Sequence, residues 1–306
     1  MTASTPVHDE SQQPSQSPLR PAGPQPPGGA HLDSTAHIMD RITRQLGSQL
    51  GLVPLDGSRR PTPPALVLVA HGSRDPRALN TVLSLADRVR ELRPDLPVHL
   101  GHIELNAPLL PDTLVGLGTA EAVLVPLLLS RGYHVKQDIP EMAAAASART
   151  RVATPLGPHP LLVETLYARL VEAGWRPRTT DEERRSSAVV LAAAGSRDPD
   201  SDIDTRRTAQ LLAERLGVPV VPAYATTAAP TVPDAVRALA ARGRHRVAVA
   251  SYFTAPGRFA TECAEAAPWI SAAPLGAHPA MARLILHRYD EVLTARPATE
   301  PALALA

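Results

Sequence analysis

Residues 65–76 read ALVLVAHGSRDP, and residues 188–199 read AVVLAAAGSRDP. Each stretch opens with an apolar run in which polar and apolar residues do not alternate. Such a run is typical of a parallel strand that is buried on both faces. GSRDP then interrupts the run as a turn, and residues with helical spacing follow it. Both stretches therefore predict a buried strand that leads into a helix.

Strands and helices alternate along the chain from Ala65 onward. The predicted strands of the first part are Ala65–Ala70, Val98–Glu104, Ala122–Leu129 and Val152–Thr154. The predicted helices are Leu79–Leu92, Pro111–Leu117, Asp138–Ala148 and Leu161–Ala173. Alternation of this kind predicts a parallel sheet with helices on both faces, so we expect an α/β fold with a doubly wound parallel sheet.

The motifs of the first part recur in the same order about 120 residues later. GSRDP at 72–76 recurs at 195–199. Pro-Leu-Gly followed by His-Pro occurs at 155–160 and again at 274–279. Several motifs that keep their order and spacing predict an internal duplication, which means two tandem doubly wound domains.

The composition changes at both ends of the duplicated region. Residues 1–32 are rich in Pro, Gln, Ser and Gly and almost free of apolar residues, so we expect disorder there. From Ile38 to Leu50 an apolar residue recurs every four positions, which predicts a short amphipathic helix that docks on the body, in preference to a partner. The predicted segments are a tail at 1–32, the helix and a linker at 33–64, a first half at 65–175, a polar linker at 176–187, a second half at 188–295 and a tail at 296–306.

Composition also limits the classes of function. The net charge is only +1, so no basic coat favours nucleic acid and no charged patch favours a membrane surface. Cys263 is the single cysteine, which excludes a disulfide framework, a thiolate zinc site and an iron–sulfur cluster. No apolar run reaches the roughly 18 residues that span a bilayer, and no signal-peptide pattern opens the chain. We therefore expect a cytoplasmic protein.

Three residues with metal-ligand chemistry follow successive strands of the first half. His71 ends the first strand, Glu104 ends the second, and His134 follows the third. Ligands of open parallel sheets bind beyond the carboxyl ends of the strands, where these three side chains can converge. Two imidazoles and a carboxylate suit a divalent first-row metal and leave coordination positions open for exchange.

The second half lacks all three candidate ligands, although it keeps the Gly, Pro and Asp framework. Its residues at the positions of the two histidines and the glutamate are Ala194, either Arg258 or Phe259, and Thr226. A requirement of the fold would act on both halves, so the joint loss favours a site that only the first half completes. Glu104 keeps an alternative interpretation, as a helix cap or an ion-pair partner of an arginine.

Several cations lie in loops at the same predicted edge. We expect Arg131, Lys136 and Arg258 to meet a ligand with several carboxylates, a group that arginine binds well through paired hydrogen bonds. Arg74 either holds the GSRDP turn, since Arg197 repeats it, or binds the same ligand.

Three other histidines have structural interpretations. His159 and His278 occur in both halves beside Pro-Leu-Gly, which favours a role in the fold. His102 is expected on the face of a strand. We therefore leave these three residues out of the candidate site.

Three motifs carry a resemblance to a known family. They are AHGSRDP at 70–76, Glu104 together with Pro108, and GYHVKQDIP at 132–140. In these motifs the sequence closely resembles the sirohydrochlorin chelatase/cobaltochelatase family, the class II chelatases that need no ATP. The resemblance covers about residues 65–295, and the long form of that family also has two fused halves.

The resemblance implies insertion of a divalent metal into sirohydrochlorin, with two pyrrole N–H protons exchanged for one cation. It implies that His71 and His134 bind the metal and take up protons, while Glu104 orients a histidine or completes the ligand set. Fe²⁺, for sirohaem, is favoured over Co²⁺, for cobalamin precursors. We expect sirohydrochlorin and the metal as the partners and no further cofactor. A monomer is expected, because two halves already supply a pseudo-dimer.

Two alternatives use the same residues. A non-catalytic metal carrier would need the same ligands, but it would have a small closed site where the enzyme needs a cleft for a macrocycle. A phosphohistidine phosphatase also has a strand followed by His-Gly. In that class an arginine directly precedes the histidine, whereas this chain has Ala70.

Overall fold

A computed structural model describes residues 62–176, 180–226 and 229–295. The two predicted tails and the predicted amphipathic helix lie outside these residues. The first half comprises β1 (Ala65–Ala70), α1 (Pro76–Leu92), β2 (Val98–His102), α2 (Leu110–Leu117), β3 (Glu121–Pro126), a π-helical turn (His134–Asp138) that runs into α3 (Ile139–Ala144), β4 (Arg149–Val152) and α4 (Pro160–Glu172). After a linker helix, α5 (Asp181–Ser186), the second half comprises β5 (Ser187–Ala193), α6 (Pro199–Leu216), β6 (Val220–Tyr224), α7 (Val232–Ala240), β7 (Arg246–Tyr252), α8 (Arg258–Glu265), β8 (Ile270–Ser271) and α9 (Pro279–Thr294).

The first half forms a four-stranded parallel sheet in the order β2-β1-β3-β4. The central strand β1 is fully buried. Leu66 and Leu68 face one core cluster, while Val67 and Val69 face another on the opposite side of the sheet. Because both faces are covered, the strand shows no alternation of polar and apolar residues.

The second half repeats this arrangement as a separate parallel sheet in the order β6-β5-β7-β8. Its central strand β5 is likewise buried along its whole length. The predicted α/β class, the two doubly wound sheets and the internal duplication are confirmed.

The two halves share a core and exchange their last helices. One buried cluster contains Leu66 and Val123 of the first half together with Val189 and Ala248 of the second. Helix α9 packs on α1 and β3 of the first half, whereas α4 packs on α6 and β7 of the second. Each half therefore depends on the other to cover one face of its sheet.

Polar contacts lock the exchanged helices in place. Arg93 at the end of α1 forms a two-pronged ion pair with Asp290 of α9, at 2.8 and 2.6 Å. The Arg169 guanidinium of α4 donates to the carbonyl oxygen of Leu275 at 3.1 and 3.0 Å. These contacts fix the orientation of the two halves relative to each other.

Some predicted boundaries differ from the structure. Strand β2 ends at His102 instead of Glu104, although the backbone N–H groups of Ile103 and Glu104 still donate to the carbonyl oxygens of Ala70 and His71. The chain then turns at Leu105, which has a positive φ of 67°. The predicted linker contains α5, which a capping box between Thr180 and Glu183 supports. Among the described residues, no helix combines the length and apolarity needed to cross a membrane.

Candidate active site

A cleft of about 1260 Å³ opens at the carboxyl ends of the strands of both sheets. The first half lines it with residues 70–75 and 127–135, and the second half lines it with 193–196 and 252–262. Ligands collect at this edge of open α/β sheets. Two such edges border a single cleft here, so both halves contribute to one site.

His71 is the first residue beyond β1 and lines the cleft. Gly72 follows with φ +104°, and a Cβ there would lie 1.8 Å from the carbonyl oxygen of Glu104. Only glycine therefore allows the two loops to approach so closely. As a result, Oε1 of Glu104 lies 3.5 Å from Nδ1 of His71.

His134 opens the π-helical turn that follows β3. Its Nδ1 lies 2.5 Å from Oδ2 of Asp138, four residues later. With Asp138 as the acceptor we assign the proton to Nδ1, which leaves Nε2 free to bind a metal or a proton. Asp138 was not among the predicted site residues. The His-x-x-x-Asp spacing was the available signal, because residues four apart on a helical turn share a face.

The two histidine rings lie close together. Their centroids are 4.7 Å apart and the ring planes are perpendicular. Nδ1 of His134 faces the Asp138 carboxylate, and Nδ1 of His71 lies 3.3 Å from the carbonyl oxygen of Gly72 and 3.5 Å from Glu104. In both rings Nε2 is therefore the nitrogen left for an ion. Since a bond from histidine to a metal is about 2 Å long, one ion can reach both rings. Within the described ranges, no three His, Cys, Asp or Glu side chains are already grouped as a metal site.

The strand register identifies the residues of the second half that correspond to His134 and its neighbours. Ala65 pairs with Ala122 in the first sheet, and Ala188 pairs with Val247 in the second. When the two halves are aligned from Ala122 and Val247 onward without gaps, the glycine that precedes each helical turn falls at the same position. The match gives Phe259 as the counterpart of His134, Arg258 as that of Tyr133 and Cys263 as that of Asp138.

The register therefore selects Phe259 over Arg258 as the counterpart of His134. The second half also lacks the carboxylate that supports this histidine. Burial raises the pKa of the Cys263 thiol to about 11, so this residue stays protonated at neutral pH. Histidine and carboxylate are thus absent together.

The predicted cations differ in their surroundings. Arg131 pairs with Asp204 and Asp200, and Lys136 pairs with Asp198 and Asp200. These carboxylates, which belong to the second half, raise the pKa values of both cations.

Arg258 and Arg74 also line the cleft. The Arg258 side chain is 75% exposed and lies 3.5 Å from Glu262, one helical turn along α8. Its guanidinium is 4.7 Å from the centre of the Phe259 ring. Carboxylate binding by the four cations stays a prediction.

The structural interpretation of the other histidines agrees with their contacts. His159 and His278 are the N-caps of α4 and α9, and Nδ1 of each accepts a backbone hydrogen bond, at 3.1 and 3.2 Å. Burial, followed by Arg288 nearby, lowers the pKa of His159 to about 4, which keeps the acceptor nitrogen unprotonated. His102 is buried, with Nδ1 3.1 Å from the carbonyl oxygen of Pro108.

Comparisons with known proteins agree with the fold. The CbiX family model matches residues 65–173 and 188–292. The chain is 27% identical over 204 residues to the sirohydrochlorin cobaltochelatase of Priestia megaterium, covering 63% of this chain and 65% of that one. It is 25% identical over 250 residues to the sirohydrochlorin ferrochelatase of the same organism, covering 76% and 91%. The chain therefore spans slightly less than two thirds of the length of the cobaltochelatase.

Solved structures show the same architecture. SirB from Bacillus subtilis with Fe³⁺ superposes with a TM-score of 0.62 at 24% identity, covering 75% of this chain and 95% of that chain. The chain thus shares its two-sheet α/β architecture with this structure. The chain belongs to the CbiX family. The family resemblance of the motifs is thereby confirmed.

Proposed function

We propose that this protein inserts a divalent metal ion, Fe²⁺ or Co²⁺, into sirohydrochlorin without ATP. The pair of carboxylate-backed histidines, His71 and His134, carries the proposal, since both rings lie on the wall of one cleft 4.7 Å apart. Relatives named sirohydrochlorin cobaltochelatase and sirohydrochlorin ferrochelatase supply the substrate and the two metals.

In this mechanism His71 and His134 hold the ion through Nε2. Glu104 and Asp138 keep the rings in orientation from the Nδ1 side. When the ion passes to the macrocycle, two pyrrole N–H bonds break. The imidazoles released from the metal take up these two protons and pass them to solvent. One divalent cation enters as two protons leave, so charge balances.

The dimensions of the cleft favour an enzyme over a metal carrier. Typical small-molecule pockets have volumes of about 300–1,000 Å³, whereas this cleft has about 1260 Å³. A carrier needs only a small closed site. The exposed apolar side chains of Leu105 and Tyr133 also line the cleft, where they suit the face of a flat macrocycle.

The test is an anaerobic assay of purified protein with sirohydrochlorin and either Fe²⁺ or Co²⁺, followed by absorbance. We expect His71→Ala to abolish insertion with both metals, because one of two ligands is lost. The side chain of His71 is 44% exposed, so the fold should persist, with an unfolding midpoint like that of the wild type.

His278→Ala is the control, because it removes a histidine that caps a helix outside the candidate site. It should lower stability by about 1 kcal/mol and leave turnover intact. Near-normal turnover in His71→Ala would contradict the assignment. Metal binding by the wild type without any conversion of sirohydrochlorin would favour the carrier.

A further inference from the structure

The second half holds the loop that carries His134. The carbonyl oxygen of Leu127 accepts a hydrogen bond from the Thr254 hydroxyl at 3.0 Å. Two residues later, the carbonyl oxygen of Leu129 accepts one from the Tyr252 hydroxyl at 2.8 Å. The main chain between β3 and His134 is therefore bound by β7, a strand of the other sheet, and by the residues that follow β7.

Asp204 of α6 makes the strongest of these contacts. Its carboxylate accepts from the backbone N–H of Arg131 at 2.8 Å and from the Arg131 guanidinium at 2.7 to 3.2 Å. Asp204 is only 3% exposed, and a carboxylate buried to this degree needs charged and hydrogen-bonded partners. Because the backbone is bound as well as the side chain, the contact fixes the position of the main chain three residues before His134.

A second pair of carboxylates binds the chain on the other side of His134. Nζ of Lys136 lies 2.7 Å from Asp198 and 2.8 Å from Asp200. Asp198 is also the N-cap of α6, so its own position is set by that helix. His134 thus lies between two charged anchors, and both lead to the first turns of α6.

We propose that Asp204, assisted by Asp198 and Asp200, positions His134 for metal binding. The half without ligands then serves as a rigid support for the ligand loop of the first half. The inference rests on the proposed metal insertion. Asp204 acts through Arg131 and not on the ion, so it is a positioning residue. Contacts that orient a metal ligand are worth about 10- to 100-fold in metal affinity.

This proposal assigns Arg131 and Lys136 a role other than carboxylate binding. A carboxylate of the macrocycle would have to displace the aspartates that already bind them. The two roles predict different effects of removing Asp204. If Arg131 binds substrate, loss of Asp204 frees it and lowers the KM for sirohydrochlorin. If Asp204 positions His134, the same change weakens metal binding.

Asp204→Asn in the full chain tests the proposal, because it keeps the shape of the side chain but removes its charge. The first readout is a Co²⁺ titration by visible absorption without tetrapyrrole, and the second is kcat and KM in the insertion assay. We expect Co²⁺ affinity to fall about tenfold and kcat to fall with it. The KM for sirohydrochlorin should stay within about twofold of the wild-type value.

Two further variants keep the test decisive. Asp202→Asn is the matched control, since Asp202 lies on the same helix but bonds Arg206 at 2.6 Å and Tyr224, both in the second half. It should bind Co²⁺ like the wild type. Lys136→Met changes an exposed residue and should fold normally, yet it should also weaken Co²⁺ binding, by a smaller factor.

Wild-type Co²⁺ affinity in both Asp204→Asn and Lys136→Met would overturn the proposal. A lower KM for sirohydrochlorin in Asp204→Asn with unchanged Co²⁺ affinity would return Arg131 to substrate binding. Failure of metal insertion itself would be recognised separately, as wild-type protein that binds Co²⁺ but leaves sirohydrochlorin unconverted.

Discussion

At the scale of single residues, the site depends on backbone conformations that few residues adopt. Gly72 and Leu105, at φ +104° and +67°, bring the loops after β1 and β2 together. A positive φ is costly for leucine, by about 1–2 kcal/mol. The Leu105 side chain is 53% exposed and lines the cleft, so packing in the core does not explain it. Contact with the macrocycle of the proposed reaction would explain it.

Leu105→Asn separates backbone strain from substrate contact. Asparagine tolerates positive φ, so the free energy of unfolding should stay unchanged or rise by up to about 1 kcal/mol. The KM for sirohydrochlorin should rise severalfold, because an apolar contact is lost. Urea unfolding and steady-state kinetics measure the two effects. Val115→Asn, at an exposed position of α2, should leave KM unchanged, and an equal rise in both variants would refute the contact.

At the scale of elements, the equivalent helices α4 and α9 begin at equivalent histidines. Each histidine accepts a backbone hydrogen bond through Nδ1, which works only while that nitrogen is unprotonated. Burial, then Arg169, lowers the pKa of His278, as burial, then Arg288, does for His159. The repetition of Pro-Leu-Gly-x-His-Pro in both halves is thereby explained as a helix start.

Stability should depend on pH through His159. Its pKa is about 4 in the fold and about 6.5 in the unfolded chain, so the unfolded state binds the proton first as pH falls. The contribution of His159 to the free energy of unfolding is complete above pH about 6.5 and is lost between pH about 6.5 and 4. Because the ring is only partly buried, the slope of stability with pH stays below about 1.4 kcal/mol per pH unit. Urea unfolding at several pH values measures this slope.

His159→Asn is the matched variant for this measurement. Asparagine caps helices well but does not titrate, so the stability at neutral pH should be kept while the dependence on pH becomes shallower. The contribution of His278 stays in both proteins. Identical pH profiles in the wild type and the variant would contradict the assigned cause.

At the scale of the whole molecule, the exchanged helices α4 and α9 join the two halves into one folding unit. We expect calorimetry of the full chain to show a single unfolding transition. The calorimetric and van't Hoff enthalpies of this transition should be equal. Residues 65–175 expressed alone should not fold, since α9 would no longer cover their sheet. Two separable transitions would show that the halves are independent domains.

The second half also contributes charge to the shared cleft. We expect Arg258→Ala to raise the KM for sirohydrochlorin about tenfold, because a charge-assisted contact with a carboxylate is lost. Metal affinity without tetrapyrrole should be unchanged, and a Co²⁺ titration checks it. Weaker metal binding with unaltered tetrapyrrole binding would assign Arg258 to the metal site instead.

The sequence by itself determined the fold class and the duplication, and it singled out two histidines whose ring centroids lie 4.7 Å apart in the structure. Apolar runs such as Ala65–Ala70 are local patterns that report burial on both faces. The second half has no counterpart of His71 or His134. Because the two halves repeat one another and can be compared, this joint absence marks the two histidines as a pair. Asp138 was also within reach of sequence reasoning, through its spacing of four from His134.

Only the tertiary structure decided how the halves cooperate. Contacts such as Asp204 with Arg131 join residues 73 positions apart and leave no periodic signal in the chain. The same holds for the exchange of α4 and α9, since an amphipathic helix shows that it has a buried face but not which sheet covers it. Local patterns report the environment of a residue, whereas the identity of its partner depends on how the whole chain packs.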